Sequence, residues 1–85
     1  MKPVRWTDHA LIELSKREVG REEAERTLAE PDRIVPCDPP RKIHQRRYHD
    51  ALLNEEMLIR LVVEETEVEL VVVTVYKTSK LRKYD

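Results

Sequence analysis

The sequence predicts an α+β fold, with two N-terminal helices packed on a mainly antiparallel four-stranded sheet. Three observations predict it. Apolar residues recur at helical spacing through the first thirty positions. Pro31 then closes the helical stretch. Beyond it, the period changes, and Val, Ile and Leu fill two runs separated by one turn. At 85 residues the chain is one domain, residues 1–85, with a small core.

The first helix starts at Thr7, an N-cap type, with Asp8 favourable in the first turn. Ala10, Leu11 and Leu14 supply its stripe. It runs to about Glu18, and Gly20 sits where a left-handed residue is wanted. The second helix covers residues 21–30, with Ala24 and Leu28 as its seam and Glu22 four residues before Arg26.

Residues 33–37 read as a short strand that Pro36 confines to an edge. Residues 38–40 (Asp-Pro-Pro) form a stiff turn. Residues 43–49 make a polar strand, and residues 57–64 and 67–77 make two strong ones. A short strand at residues 3–6 completes the list.

A two-residue turn at Glu65 and Thr66 places Leu61 opposite Leu70 and Ile59 opposite Val72, and Arg60 opposite Val71 on the other face. The expected core is Leu11, Leu14, Leu28, Ile59, Leu61, Leu70 and Val72. Val71, Val72, Val73 and Val75 put valine on both faces of the last strand, as in a strand buried on two sides. A simple meander leaves that strand bare at an edge, which invites pairing with another chain. A homodimer through this strand, or a partner protein on it, is therefore expected.

Charge and cysteine content narrow the classes. Sixteen Lys and Arg nearly cancel seventeen Asp and Glu, for a net charge of −1. That excludes a uniformly basic nucleic-acid coat. The charges are blocked, however: residues 55–70 carry one positive and six negative, and residues 71–85 carry four and one. Two basic blocks, near Arg41–Arg47 and Lys77–Lys83, flank the acidic one, and a local basic stripe is what binds phosphates. One cysteine, Cys37, excludes an internal disulfide framework. No apolar run is long enough to span a membrane, and no secretory h-region opens the chain, so a cytoplasmic protein is expected. High Glu and Arg with one Asn and one Gln is a thermophile pattern.

Few residues have the spacing that chemistry needs. His44 and His49 are an odd number apart on a strand, and His9 and Cys37 complete no zinc pattern, so no metal and no cofactor is expected. His9 falls away from the helix seam, beside Glu13. It reads either as exposed surface or as a general acid or base. Arg46 and Tyr48 share one strand face. Arg60 interrupts an apolar strand and must reach water, a carboxylate or a bound anion. Lys77 extends the strand that holds Val73 and Val75. Tyr76, Lys77, Lys80, Arg82, Lys83 and Tyr84 mix cations with aromatics as nucleic-acid surfaces do. A contiguous basic groove containing Arg46, Arg60 and Lys77 is what RNA binding would need, whereas scattered, acid-paired arginines would favour a non-catalytic interaction module.

A first helix with His9–Ala10 and then Arg17–Glu18–Val19, an acidic second helix, EPDRIV, a Tyr48–His49 strand and a final VVVTVYKTSKLRKY together resemble the small bacterial domains of the domain of unknown function 4258 family. The resemblance covers nearly the whole chain and rests on the order of its parts. That family is in turn similar in fold to the RelE/ParE toxin superfamily, whose members include ribosome-dependent messenger-RNA endonucleases.

The resemblance implies a RelE/ParE-like toxin or toxin-derived RNA-interacting protein, with metal-independent endoribonuclease activity. Its partners would be RNA or the ribosome, and an antitoxin protein. His9, Arg46, Arg60, Tyr76 and Lys77 would be catalytic. Arg17, Arg41, Lys42, Arg47, Lys80, Arg82 and Lys83 would bind RNA. The net charge departs from this pattern, because such toxins are clearly basic. The alternative is a non-catalytic protein-interaction or homodimerisation module. A shared fold does not by itself carry an activity.

Overall fold

The computed structural model describes residues 2–84. In chain order these are β1 (Val4–Trp6), α1 (Asp8–Lys16), α2 (Arg21–Ala29), β2 (Arg33–Pro36), β3 (Arg41–Asp50), β4 (Glu55–Glu65), β5 (Leu70–Thr78) and a closing 3₁₀ turn (Leu81–Tyr84). The fold is α+β, but the sheet has five strands and is mixed, not four and antiparallel, in the order β1-β5-β4-β3-β2. β2 to β5 form an antiparallel meander, and β1 joins β5 in parallel. The outer groups of β5 need partners, and β1 supplies some of them. Leu70 N donates to Pro3 O at 2.9 Å, and Thr7 N to Val72 O at 3.2 Å.

Thr7 ends β1 and starts α1. Its hydroxyl accepts from Ala10 N at 3.0 Å and donates to Val73 O at 3.1 Å. The far end of α1 differs from expectation. Glu18, not Gly20, takes the left-handed conformation, with φ 54°. Glu18 N donates to Ser15 O and Val19 N to Leu14 O, which is the Schellman pattern, and buried Val19 and Leu14 close it. Gly20 is instead the N-cap of α2, at φ −66°.

Both helices cover one face of the sheet. Ala10, Leu14, Val19, Ala24 and Leu28 meet Ile59, Leu61, Val63, Val72 and Val75 in one core, with Leu70 packed at its margin. Leu11, expected inside, is 41% exposed. It lies about 100° round the helix from Ala10, outside the narrow stripe that touches the sheet.

The β4–β5 register also differs. Glu65 pairs with Leu70, so the turn has four residues. Thr66 closes it: its N–H donates to Glu69 O at 2.9 Å, and its hydroxyl accepts from Glu69 N at 3.0 Å. The pairs are therefore Ile59 with Lys77, Arg60 with Tyr76 and Leu61 with Val75. A bulge follows. Val62 pairs with Thr74 but Val63 with Val72, which leaves Val73 as the extra residue. The extra residue resets the alternation, so Val72 and Val75 both reach the core and Val73 does not share a face with Val75. Among the described residues, no helix is long and apolar enough to cross a membrane.

Candidate functional site

The ladder pairings decide which side chains share a face. Arg46 pairs with Ile59 and Ile59 with Lys77, so these cations lie on the helix side. Each meets an acid there. Arg46 donates to Glu23 on α2 at 2.8 Å. Lys77 Nζ donates to Asp50 Oδ2 at 2.7 Å and to Glu18 O at 3.2 Å. The same Asp50 oxygen accepts from Tyr48 Oη at 2.8 Å, and its Oδ1 accepts from Leu52 N and Leu53 N. These donors, Lys77 first, hold the Asp50 carboxyl far below the usual carboxylate range. Burial and Asp50 together push the Tyr48 hydroxyl well up. The cluster is fully partnered, which suits a structural lock.

The opposite face carries a different set. Arg33 pairs with Gln45, Gln45 with Arg60 and Arg60 with Tyr76, so one row crosses four strands. Arg60 is only 7% exposed. Its Nε donates to Gln45 Oε1 at 3.0 Å, and an Nη donates to Tyr76 Oη. Its guanidinium lies 4.0 Å from the ring centre of Tyr84 and 5.7 Å from that of Tyr76. Gln45 Nε2 donates to Tyr84 O at 2.9 Å, so the closing turn is held over the row. Leu58, on the same face, is buried as well. The turn therefore explains how a semi-apolar sheet face is kept from water.

Beside Arg60 opens a cavity of about 210 Å³, lined by Arg33, Val35, Arg60, Lys83 and Tyr84. Among the described residues its walls hold three cations and no carboxylate. Among the described residues, no acidic side chain pairs with Arg60. Burying a charge is costly unless something compensates it, and here two rings, an amide oxygen and a phenol do so in part. An arginine has five N–H donors, and the two bonds described engage two of them.

The other expected residues are dispersed. His9, exposed at the start of α1, has Nε2 3.1 Å from Thr74 Oγ1. Thr74 precedes Tyr76 by two on one strand face, so His9 stands at the β5 margin of the Arg60 row. Arg17 is bound to Glu13, which its guanidinium holds below the usual carboxylate range. Arg41 meets Glu64 at 3.4 Å. The Arg47 backbone N–H donates to Asp32 at 2.8 Å. Lys42, Lys80 and Arg82 are exposed. The groove of Arg46, Arg60 and Lys77 is not formed: the sheet separates Arg60 from the other two. Arg60, Tyr76 and Lys83 do come together, joined by Arg33, Gln45 and Tyr84.

A second cavity, about 180 Å³, lies between β1 and α2 against Val4, Trp6, Glu25, Leu28 and Ala29. Arg21 covers Trp6 at 4.6 Å. Its apolar walls offer one carboxylate and no constellation. Cys37 is a free, half-buried thiol, and no His, Cys, Asp or Glu cluster that could hold a metal occurs among the described residues.

A family model described as Domain of unknown function (DUF4258) matches residues 6–77. The chain belongs to the DUF4258 family. No curated protein and no solved structure gives a significant match. The DUF4258 span runs from Trp6 to Lys77, so it takes in both helices, the meander and the Arg60–Tyr76 pair. Lys83 and Tyr84, which close the cationic cavity, lie beyond it.

Proposed function

We propose that this DUF4258 chain is a RelE/ParE-like, toxin-derived RNA-interacting protein that grips RNA phosphate on the sheet face opposite the helices, in the cytoplasm of a bacterium. The observation that carries this reading is Arg60, a buried cation with no carboxylate partner among the described residues, opening onto a cavity walled by Arg33 and Lys83. A phosphate there would supply the missing charge, and a base could stack on the exposed aromatic edge. Lys80 and Arg82 extend the positive field from the closing turn, whereas Arg46 and Lys77 serve the fold.

The same row fits a metal-independent cleavage. The 2′-oxygen attacks the adjacent phosphorus, the bond to the 5′-oxygen breaks, and a 2′,3′-cyclic phosphate and a 5′-hydroxyl result. One group takes the 2′-hydroxyl proton and another gives a proton to the departing oxygen. In this reading Arg60 holds the extra charge on phosphorus. Tyr76, bound to Arg60, and His9, at the strand margin, are the proton-transfer candidates. An antitoxin would then have this face to cover. The alternative, a non-catalytic interaction module, draws on the acid pairing of Arg46 and Lys77.

Fluorescence anisotropy with a labelled single-stranded RNA, across a salt series, tests the reading. Arg60→Gln combined with Arg33→Gln should weaken binding and flatten the salt slope by about one unit per lost phosphate contact. Arg46→Ala should leave the slope unchanged. Wild-type protein that binds no RNA, or a double variant with wild-type affinity, would leave the interaction-module reading in its place.

A further inference from the structure

We infer that the Arg60 cavity is a pocket for a phosphate dianion, and that on RNA it takes a terminal phosphomonoester in preference to a phosphodiester within the strand. The inference rests on the phosphate reading and narrows it to one chemical group. Three cations face the cavity of about 210 Å³: Arg33 from β2, Arg60 from β4 and Lys83 from the closing turn. Arg60 forms its floor, with 7% of its surface exposed. Arg33 and Lys83 are exposed at its rim. Tyr84 gathers two of the cations about one ring, with the Arg60 guanidinium 4.0 Å and the Lys83 ammonium 5.4 Å from its centre.

Charge decides between the two kinds of phosphate. A phosphodiester within a strand carries a single negative charge. A phosphomonoester carries about −1.5 to −2 at neutral pH and offers three strong acceptor oxygens. Among the described residues, no carboxylate lines the cavity to answer its three cations. One of those cations is buried, where a charge is costly unless it is compensated. A single charge leaves most of this excess unanswered. A dianion answers more of it, and its third oxygen gives the convergent donors another acceptor.

Shape points the same way. A water's share of liquid volume is about 30 Å³, so a phosphate group, with the bulk of roughly two to three waters, fills about a third of the cavity. The remainder suits one sugar, with Val35 as an apolar wall beside it. It does not suit a strand that both enters and leaves. The closing turn stands over one side, held by the bond from Gln45 Nε2 to Tyr84 O at 2.9 Å. A chain end enters such a recess, whereas a strand passing through would have to displace the turn. The preference is compatible with the cleavage described above, because phosphorus gains a second negative charge at that transition state.

Fluorescence anisotropy tests the inference with one internally labelled oligoribonucleotide whose ends are hydroxyl, 5′-phosphate, 3′-phosphate or the methyl ester of either phosphate. At least one phosphorylated form should bind about tenfold tighter than the hydroxyl form. Its methyl ester, of similar bulk but one charge, should bind like the hydroxyl form. Arg33→Gln with Lys83→Gln, both at exposed positions, should shrink the difference to about twofold or less. Lys16→Gln, on α1 across the sheet, should preserve it. Thermal melts of the variants separate these effects from unfolding. A wild type that binds every form alike would overturn the end preference and leave the phosphate reading standing. A wild type that binds no form would overturn both. Adenosine monophosphate that competes as strongly as the phosphorylated RNA would overturn the RNA end as the source of the group.

Discussion

Lys77 and Asp50 are the last residues but one of β5 and the last of β3, and Lys77 Nζ meets Asp50 Oδ2 at 2.7 Å beneath the α1–α2 junction. Lys77 also holds Glu18 O, so one ammonium ties two strands to the end of a helix. Lys77→Met should destabilise the fold far more than Lys16→Met, whose surface pair with Glu13 spans 3.9 Å. Urea unfolding of the two variants checks the order. Equal midpoints would contradict the lock.

Acid should act through the same carboxylate. The folded Asp50 carboxyl is held below its ordinary value, so its contribution is complete above about pH 4 and is lost as the pH falls below that. Denaturant midpoints measured from pH 7 to pH 2 should fall steeply in that window, and Asp50→Asn should flatten the fall.

His44 should add an earlier step. Burial, with Lys42, holds its imidazole below the ordinary histidine value, against the Leu28 backbone and Glu65. Its Nδ1 is buried with no hydrogen-bond partner among the described residues. The unfolded chain then binds a proton that the folded one resists, so stability declines as the pH drops below about 6.5. His44→Leu should remove that part of the profile. A pH dependence unchanged between pH 6.5 and pH 5 would refute it.

Core contributions should follow burial. Leu61 is fully buried and Leu61→Ala should cost roughly 2–5 kcal/mol. Leu11→Ala, at a partly exposed site, should cost about 1 kcal/mol or less. Thr7→Ala removes a cap and a strand contact together and should cost about 1–2 kcal/mol. Calorimetric midpoints rank the three.

Backbone conformation predicts a stabilising change. Glu18 is left-handed, so Glu18→Gly should add up to about 1 kcal/mol. Gly20 is not left-handed, and no atom lies within 4 Å of an added Cβ. Gly20→Ser should therefore be tolerated, with a few tenths of a kcal/mol gained from a side-chain cap. Loss of more than about 1 kcal/mol on either change would contradict these geometries.

The helices and the β2 edge strand were legible because their signals are local: Thr7 caps, Pro31 stops, and Pro36 excludes a central strand. The β4–β5 register was not. It depends on Thr66 closing a four-residue turn through its own hydroxyl and on one extra residue at Val73, and neither alters the apolar pattern that a sequence displays. The error carried into the site. With the shorter turn, Arg60 opposes Val71; with the observed one it opposes Tyr76. Arg33 and Gln45 were missed for the same reason, since only three ladders in register assemble their row. The basic blocks gave the right residue types, while the acids that claim Arg46 and Lys77 come from α2 and the β3 end, remote in sequence.

The parallel pairing of β1 has a consequence for how the chain matures. Thr7 and Val73 are 66 positions apart, yet they share a hydrogen bond. Among the described residues β1 has no other strand neighbour, so this side of the sheet must wait until nearly all of the matched domain has left the ribosome. The meander can form earlier, since its neighbours are consecutive. Closing so long a loop is slow compared with a hairpin. Folding should therefore end with a late docking step, and a nascent chain arrested before Leu70 should remain protease-sensitive at β1 and α1 even after β3 and β4 are protected.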